Sequence, residues 1–224
     1  MDGPLKALLT KFPGSVAAYG GHVLERFDSC GGDQPLGSRE SERHRNINIF
    51  VDYKTSLEYL GEKANKLDAV NEFFSKFAEV AQETVMVDRR DTEPIGMEVC
   101  WAEKAHNETE YFGRYHVTCP TKSTFSYVIC FGGWSSYQRV LEQFNLTITQ
   151  IAMVYEQDKF VFKCLKGSSA HIESSPHKLH LTSSALARLK EGDRQAKLLT
   201  DIVRKYQNRG CELNAEHAKL LPKT

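Results

Sequence analysis

One short segment alternates between polar and apolar side chains along its length, which is the pattern of a β-strand with one buried face. Residues 46–51 read Asn-Ile-Asn-Ile-Phe-Val, and side chains two positions apart in a strand point to the same side of the sheet. Three β-branched side chains therefore share one face, and Asn46 and Asn48 share the other with Phe50. We predict a strand whose apolar face is buried in a core and whose second face carries two neighbouring amides.

Helical and strand patterns follow one another along the rest of the chain. Helical spacing predicts helices at 3–13, 22–27, 67–80, 135–144, 182–189, 196–207 and 215–221, and apolar runs predict strands at 16–19, 84–88, 96–101, 111–119, 124–131, 146–155 and 159–165. The polar segment 29–42 is predicted to be a loop. Phe73, Phe74 and Phe77 are expected to lie in the core, because they share one side of their helix.

These elements predict an α/β fold, with a mixed sheet of about five to seven strands and helices packed mainly on one side. The chain changes from strands to helices after Gly167. We therefore expect an α/β domain over residues 1–167 and a helical C-terminal extension over residues 168–224. A length of 224 residues is sufficient for that organisation without a stabilising metal or disulfide.

The charge balance and the cysteines limit the classes of function. The 29 Lys and Arg residues match the 29 Asp and Glu residues, so the whole surface cannot hold nucleic acid by charge, although a local basic patch can. The six cysteines form no Cys-x-x-Cys pair, and we expect them to be reduced. No signal peptide or apolar run of about 18 residues is present. We expect a protein of the cytoplasm or nucleus with no membrane partner.

Three local patterns occur in an informative order. Gly20-Gly21 stands at a predicted strand-to-helix turn, Asn-Ile-Asn-Ile-Phe occupies 46–50, and Phe-Asn-Leu-Thr occupies 144–147. Together they resemble the viral and phage branch of the polymerase-β-type nucleotidyltransferases. The pattern of that branch is a Gly-Gly or Gly-Ser turn, an Asp-Ile-Asp-Ile-Phe strand and a third aspartate in Phe-Asp-Leu-Thr. The basic segment Lys-Tyr-Gln-Asn-Arg-Gly at 205–210 also resembles a helix end of that branch, so the resemblance spans about residues 15 to 210.

The resemblance implies a nucleotidyltransferase that moves a nucleoside monophosphate from a nucleoside triphosphate to a hydroxyl group, with Mg²⁺ or Mn²⁺ as cofactor. It assigns the two-metal site, and thus the catalytic positions, to Asn46, Asn48 and Asn145. Carboxylates there would clamp hard cations that hold the triphosphate. The Gly20-Gly21 turn and the helix that follows it would bind phosphate through backbone N–H groups.

All three metal positions carry asparagine where the family has aspartate. Asparagine has the size of aspartate, but it has no negative charge and offers one carbonyl oxygen to a cation that prefers carboxylates. We expect the site to hold metal weakly or not at all and to be inactive in this sequence. Three near-isosteric changes fit either a pseudoenzyme that kept the shape of its pocket or a deliberately inactivated variant.

Other polar residues near these motifs have two interpretations each. His22 and Arg45 are candidates for binding the nucleotide phosphates, but His22 is also typical of a surface position at a helix start and Arg45 of a solvated charge run. Asp52 is a candidate stray metal ligand, with a solvent-facing strand end as the favoured interpretation. Lys205 and Arg209 are expected mainly to complement the helix dipole.

Two functions therefore remain open. The first is a nucleotidyltransferase whose partners are a nucleoside triphosphate and an RNA 3′ end, a DNA 3′ end or a protein acceptor. The second is a naturally inactive module of the same fold that binds a nucleotide or RNA, or serves as a protein scaffold. Aspartate at any of the three positions in the natural gene would favour the first.

Overall fold

The structure is a computed structural model that describes residues 3–31, 46–52, 66–82, 84–89, 113–119, 126–132, 137–142 and 144–222. The predicted strand 96–101, most of the predicted loop 29–42 and the phosphate-binding candidate Arg45 lie outside these ranges. Among the described residues, no helix is both long and apolar enough to cross a membrane.

The described part of the chain forms a seven-stranded mixed sheet in the order β3-β4-β5-β2-β1-β6-β7. Its strands are β1 (Val16–Tyr19), β2 (Asn46–Asp52), β3 (Met86–Arg89), β4 (Gly113–Thr118), β5 (Ser126–Gly132), β6 (Ile151–Glu156) and β7 (Lys159–Cys164). β2 pairs parallel with β5, and the other neighbours pair antiparallel. The α/β fold class predicted from the sequence is confirmed.

Helices cover both faces of the sheet unequally. They are α1 (Gly3–Lys11), α2 (Gly21–Gly31), α3 (Lys66–Ala81), α4 (Tyr137–Glu142), α5 (Ser169–Ile172), α6 (Ser183–Arg188), α7 (Asp193–Gln207) and α8 (Ala215–Ala218). The main core contains residues of α1, α2, α3, α5, α6 and α7, and the smaller core on the opposite face contains Val140 and Leu141 of α4. Helices therefore pack mainly on one side, as expected.

β2 follows the alternation read from its sequence. Ile47 and Val51 are fully buried and Ile49 nearly so in the main core, while Asn48 is half-buried and Asn46 exposed on the other face. The phenylalanines of α3 reach the same core, where Phe73 stacks on Phe12 with ring centroids 5.0 Å apart. Burial of this face positions both asparagines of β2 on the opposite side of the sheet.

The prediction of a strand over 146–155 is wrong in its first half. A 3₁₀ helix occupies Thr147–Thr149, and β6 begins only at Ile151. Leu146 forms a single antiparallel bridge to Leu181, and the Thr149 hydroxyl donates to the Leu146 carbonyl at 2.8 Å. The side-chain bond and the tertiary bridge satisfy the backbone locally, so the apolar run does not continue as a ladder.

The C-terminal segment is less purely helical than expected. A short parallel ribbon pairs β8 (Lys178–Leu179) with β9 (Glu212–Leu213), and α8 is shorter than the predicted helix 215–221. Strands of two residues leave no periodic signal in a sequence. Conversely, α7 starts at Asp193, three residues before the predicted start, and α2 extends through Gly31 into the predicted loop.

Three histidines bring the C-terminal elements together. The His171 and His180 rings stack with centroids 4.0 Å apart, and the His217 ring meets His180 edge-on at 5.4 Å. His217 Nδ1 accepts a hydrogen bond from the Leu181 backbone N–H at 3.0 Å, and His171 Nδ1 lies 3.0 Å from the Thr147 hydroxyl. Burial, followed by the neighbouring His171 and His217, lowers the pKa of His180.

This lowered pKa predicts a loss of stability on acidification. As the pH falls below about 6.5, the unfolded chain takes up a proton at His180 before the folded chain does, so the free energy of unfolding decreases. We expect the melting temperature to fall between pH 7.5 and pH 5.5, and His180→Asn to reduce that fall. The comparison at pH 7.5, where His180 is neutral in both states, is the control for the substitution itself. An equal fall in both proteins would contradict the prediction.

Candidate functional site

A cavity of about 150 Å³ opens beside the start of α2, and it brings together residues from distant parts of the chain. Its lining includes Gly21, His22, Asn46, Asn48, Asn145, Glu25, Lys205, Tyr206 and Arg209. Gly20 borders it as well, since a Cβ there would lie 3.8 Å from Asn48 Nδ2. Of the site candidates that the structure describes, all but Asp52 are thus neighbours at this cavity.

The Gly20-Gly21 turn requires glycine at both positions, for different reasons. Gly20 has a φ of +78°, which favours glycine, and its carbonyl accepts the bond from Leu24 N–H in the first turn of α2. A Cβ on Gly21 would lie 2.5 Å from the Tyr206 hydroxyl. The turn therefore accommodates a tyrosine from α7, and the Gly20 N–H donates to the Ile151 carbonyl at 3.1 Å.

The two asparagines of β2 are placed by strand pairing. Asn48 is aligned with Tyr19 of β1, and Asn46 with Ser126 of the parallel strand β5. The Ser126 hydroxyl donates to Asn46 Oδ1 at 2.8 Å. The oxygen of one amide at the expected metal site is therefore already engaged by a protein donor.

Residues of the C-terminal segment hold Asn145 in place through hydrogen bonds. It lies in the bend before the 3₁₀ helix, and the residue is 1% exposed. Arg188 Nη1 of α6 donates to Asn145 Oδ1, and Arg188 Nη2 donates to the Ser184 hydroxyl at 3.1 Å. Thr182 fixes the adjacent backbone, because its N–H donates to the Asn145 carbonyl at 3.0 Å and its hydroxyl to the Phe144 carbonyl at 2.7 Å.

Three more residues of the lining contact one another: Glu25 of α2, Tyr206 of α7, and Arg209, which follows the end of α7. Arg209 pairs with Glu25 at 2.9 Å, and its guanidinium lies 5.5 Å from the centre of the Tyr206 ring. Burial raises the pKa of the Tyr206 hydroxyl, an effect that Arg209 opposes and Glu25 reinforces. The hydroxyl therefore stays protonated at neutral pH and can donate a hydrogen bond.

Several sequence expectations about this region are corrected. His22 is 9% exposed and Asp52 is 7% exposed, so neither occupies the solvent-facing position that was favoured. Their burial comes from tertiary packing around the cavity and the strand end. Asp52 does not line the cavity, whereas Glu25 does.

Three contributors to the site were missed or underrated for physical reasons. Lys205, in the last turn of α7, and Arg209, just after the end of that helix, both line the cavity. The likeness of 205–210 to a family helix end was the available signal. Arg188 carried no signal, because a basic residue in the last turn of a helix is ordinary. Only the packing of α6 against Asn145 reveals its contact.

The donor set does not fit a divalent cation. Mg²⁺ binds carboxylates and other oxygens, but the oxygens of Asn46 and Asn145 accept bonds from Ser126 and Arg188. A cation bound to Asn145 Oδ1 would also meet the Arg188 guanidinium. Among the described residues, no group of three or more His, Cys, Asp or Glu side chains could hold a metal ion.

Comparison with known proteins supports the fold and leaves the family open. No protein-family model and no curated protein match this sequence. A solved structure described as "tRNA-processing enzyme (apo form I)" matches with a TM-score of 0.51 at 12% sequence identity, over 92% of this chain. The match covers 41% of that structure, so this chain is similar in fold to less than half of it.

The contact between Gly21 and Tyr206 predicts a specific overpacking effect. Gly21→Ala places a methyl group where the Tyr206 hydroxyl lies, so we expect a loss of about 1–3 kcal/mol in the free energy of unfolding, measured by urea denaturation. Adding Tyr206→Phe removes the hydroxyl and should recover part of that loss.

The matched control is Gly167→Ala, since a Cβ on Gly167 has no heavy atom within 4 Å. It should change the free energy of unfolding far less than Gly21→Ala. A Gly21→Ala protein as stable as the Gly167→Ala protein would show that Tyr206 does not occupy the space beside the turn.

Proposed function

We propose that this chain is a nucleotidyltransferase-fold protein whose cavity binds a nucleoside triphosphate and that it transfers no nucleotide in this form. The observation that carries the proposal is the lining of one cavity by Gly21, Asn46, Asn48 and Asn145, four positions that the family resemblance had singled out from three separate motifs. The likeness in fold to the tRNA-processing enzyme supports it.

The cavity is suited to the phosphates of the nucleotide. α2 is 11 residues long and carries no acidic residue in its first turn, so its N-terminal N–H groups and dipole favour an anion. Lys205 and Arg209 add two positive charges, and Glu25, the acidic residue of the lining, is paired with Arg209. The described lining therefore favours a negatively charged ligand.

The proposed lack of transfer follows from the three asparagines. A form with aspartate at positions 46, 48 and 145 is proposed to bind Mg²⁺ or Mn²⁺, whereas the present amides contribute neither the charge nor free oxygens at positions 46 and 145. For the polymer partner we propose an RNA 3′ end, since the similar structure is described as tRNA-processing.

The naturally inactive binding module is the second candidate, and one observation favours it. Arg188 is 4% exposed and its guanidinium donates to the oxygen of Asn145. A buried arginine in that position stabilises a site without metal. Such a protein would hold a nucleotide or an RNA end for a partner.

The first test is a thermal-shift titration with ATP, GTP, CTP and UTP, with Mg²⁺ and with EDTA. A nucleotide at 100 times its Kd stabilises the folded chain by ~2.7 kcal/mol, which for a chain of this size raises the melting temperature by roughly 5–10 °C. Chromatography should show the triphosphate unconsumed. No shift with any of the four nucleotides would refute the proposal.

Two lysines of α7 provide a matched pair for this titration. Lys205 lines the cavity, whereas Lys197 is exposed on the same helix and does not line it. Lys205→Ala should weaken nucleotide binding several-fold, because a phosphate contact is lost, and Lys197→Ala should leave it unchanged. Equal effects would mean that the phosphates bind elsewhere.

The second test restores the carboxylates, with Asn46, Asn48 and Asn145 all changed to Asp. Mutual repulsion should lower the melting temperature in EDTA, and Mg²⁺ or Mn²⁺ should recover it and permit consumption of a nucleoside triphosphate. Asn71→Asp with Asn208→Asp, at two exposed positions, is the control for added charge and should not respond to metal.

The outcomes separate the two candidate functions. Recovery of the melting temperature by metal without turnover would favour the binding module. A triple variant that gives neither recovery nor turnover would show that these three residues do not form a metal site.

A further inference from the structure

The orientation of the Asn145 amide is determined by its neighbour. An arginine guanidinium has only N–H donors, whereas an asparagine amide has one acceptor end and one donor end. Because Arg188 Nη1 donates to Asn145 Oδ1, the flipped amide would place two donors against each other. The hydrogen-bond network therefore assigns the oxygen to the side of Arg188.

The other end of the amide is a buried donor. Asn145 is 1% exposed, and among the described residues no hydrogen-bond acceptor pairs with its Nδ2 group. The residue lines the cavity, while Arg188 approaches from outside the cavity lining. Buried N–H groups are nearly always paired in folded proteins, so this one indicates a ligand atom that accepts a hydrogen bond.

The amide oxygen of Asn46 also accepts a hydrogen bond from a neighbouring side chain. The Ser126 hydroxyl donates to Asn46 Oδ1 at 2.8 Å, which leaves the Asn46 N–H₂ group as its other end. Two of the three amides thus have their oxygens engaged by protein donors. At position 145, where an active enzyme would present an oxygen to a cation, the end of the amide with no partner among the described residues is the N–H₂ group.

We infer that Asn145 donates a hydrogen bond to a phosphate oxygen of the ligand, that Arg188 is the positioning residue for this bond, and that the cavity binds polyphosphate without a divalent cation. The inference deepens the proposed function and rests on it, since it takes the nucleoside triphosphate as the ligand. In an active relative, carboxylates hold a cation and the cation holds the phosphates. Here the Asn145 amide and the nearby cations Lys205 and Arg209 hold the phosphates directly.

The charges around Asn145 agree with this direct mode of binding. Lys205 and Arg209 face the cavity, and the carboxylate of Glu25 is paired with Arg209. A bound phosphate would meet N–H donors and positive charge, which are strong together because the hydrogen bonds are charge-assisted. A divalent cation in the same place would meet the Arg188 guanidinium behind Asn145.

The test is isothermal titration calorimetry with ATP and with inorganic tripolyphosphate, each in EDTA and in Mg²⁺. We expect binding in EDTA, with a Kd within about threefold of the value in Mg²⁺. Asn145→Asp has the same shape but removes the N–H donor and adds repulsion, so it should weaken binding in EDTA by about tenfold or more, as expected for the loss of a hydrogen bond to a charged group.

The role of Arg188 is tested separately from its role in folding. Arg188→Lys keeps the charge but loses the planar fork that fixes the amide, so binding in EDTA should weaken less than in Asn145→Asp. A measurement on the unchanged chain complements the variants. In a ¹⁵N NMR spectrum, the side-chain N–H₂ signals of Asn145 should shift on addition of tripolyphosphate in EDTA, and those of exposed Asn208 should not.

The possible failures are distinguishable. If ATP binds only with Mg²⁺, or if the Asn145 amide signals do not move while ATP binds, the inference is overturned and the proposed nucleotide site remains. If neither ATP nor tripolyphosphate binds under either condition, the proposed function fails and the inference fails with it. If Asn145→Asp does not fold, the NMR measurement alone decides.

Discussion

The burial of one face of β2 is the constraint on which the site depends. Ile47, Ile49 and Val51 lie in the main core, and strand geometry then places Asn46 and Asn48 on the opposite face. The register of β2 with β1 on one side and with β5 on the other fixes which residues of those strands lie beside the two asparagines. The apolar half of the strand thus determines where its polar half presents two amides.

The C-terminal segment completes the cavity that β2 begins. α7 places Tyr206 against Gly21, and the turn after it places Arg209 beside Glu25. α6 places Arg188 beside Asn145. Residues of α5, β8 and α7 also belong to the main hydrophobic core. Because the same segment contributes to the core and lines the cavity, the geometry of the site is coupled to the stability of the fold.

An amide differs from a carboxylate in more than charge. An aspartate accepts hydrogen bonds with both oxygens, whereas an asparagine has a direction, and its neighbours determine that direction. Ser126 and Arg188 engage the oxygens of Asn46 and Asn145. At these two positions the amide oxygens are thus engaged by donors of the protein itself.

The sequence by itself determined the α/β class, the strand at 46–51, the buried face of α3 and the order of the three motifs, because these depend on local periodicity and on residue types at fixed spacing. It could not show that Leu146 leaves the ladder, that Lys178–Leu179 pairs with Glu212–Leu213, or that His22 and Asp52 are buried. Those features arise from contacts between distant segments. The tertiary structure alone decided which way the Asn145 amide points, since the residue that orients it, Arg188, lies 43 positions away along the chain and becomes its neighbour only when α6 packs behind the cavity.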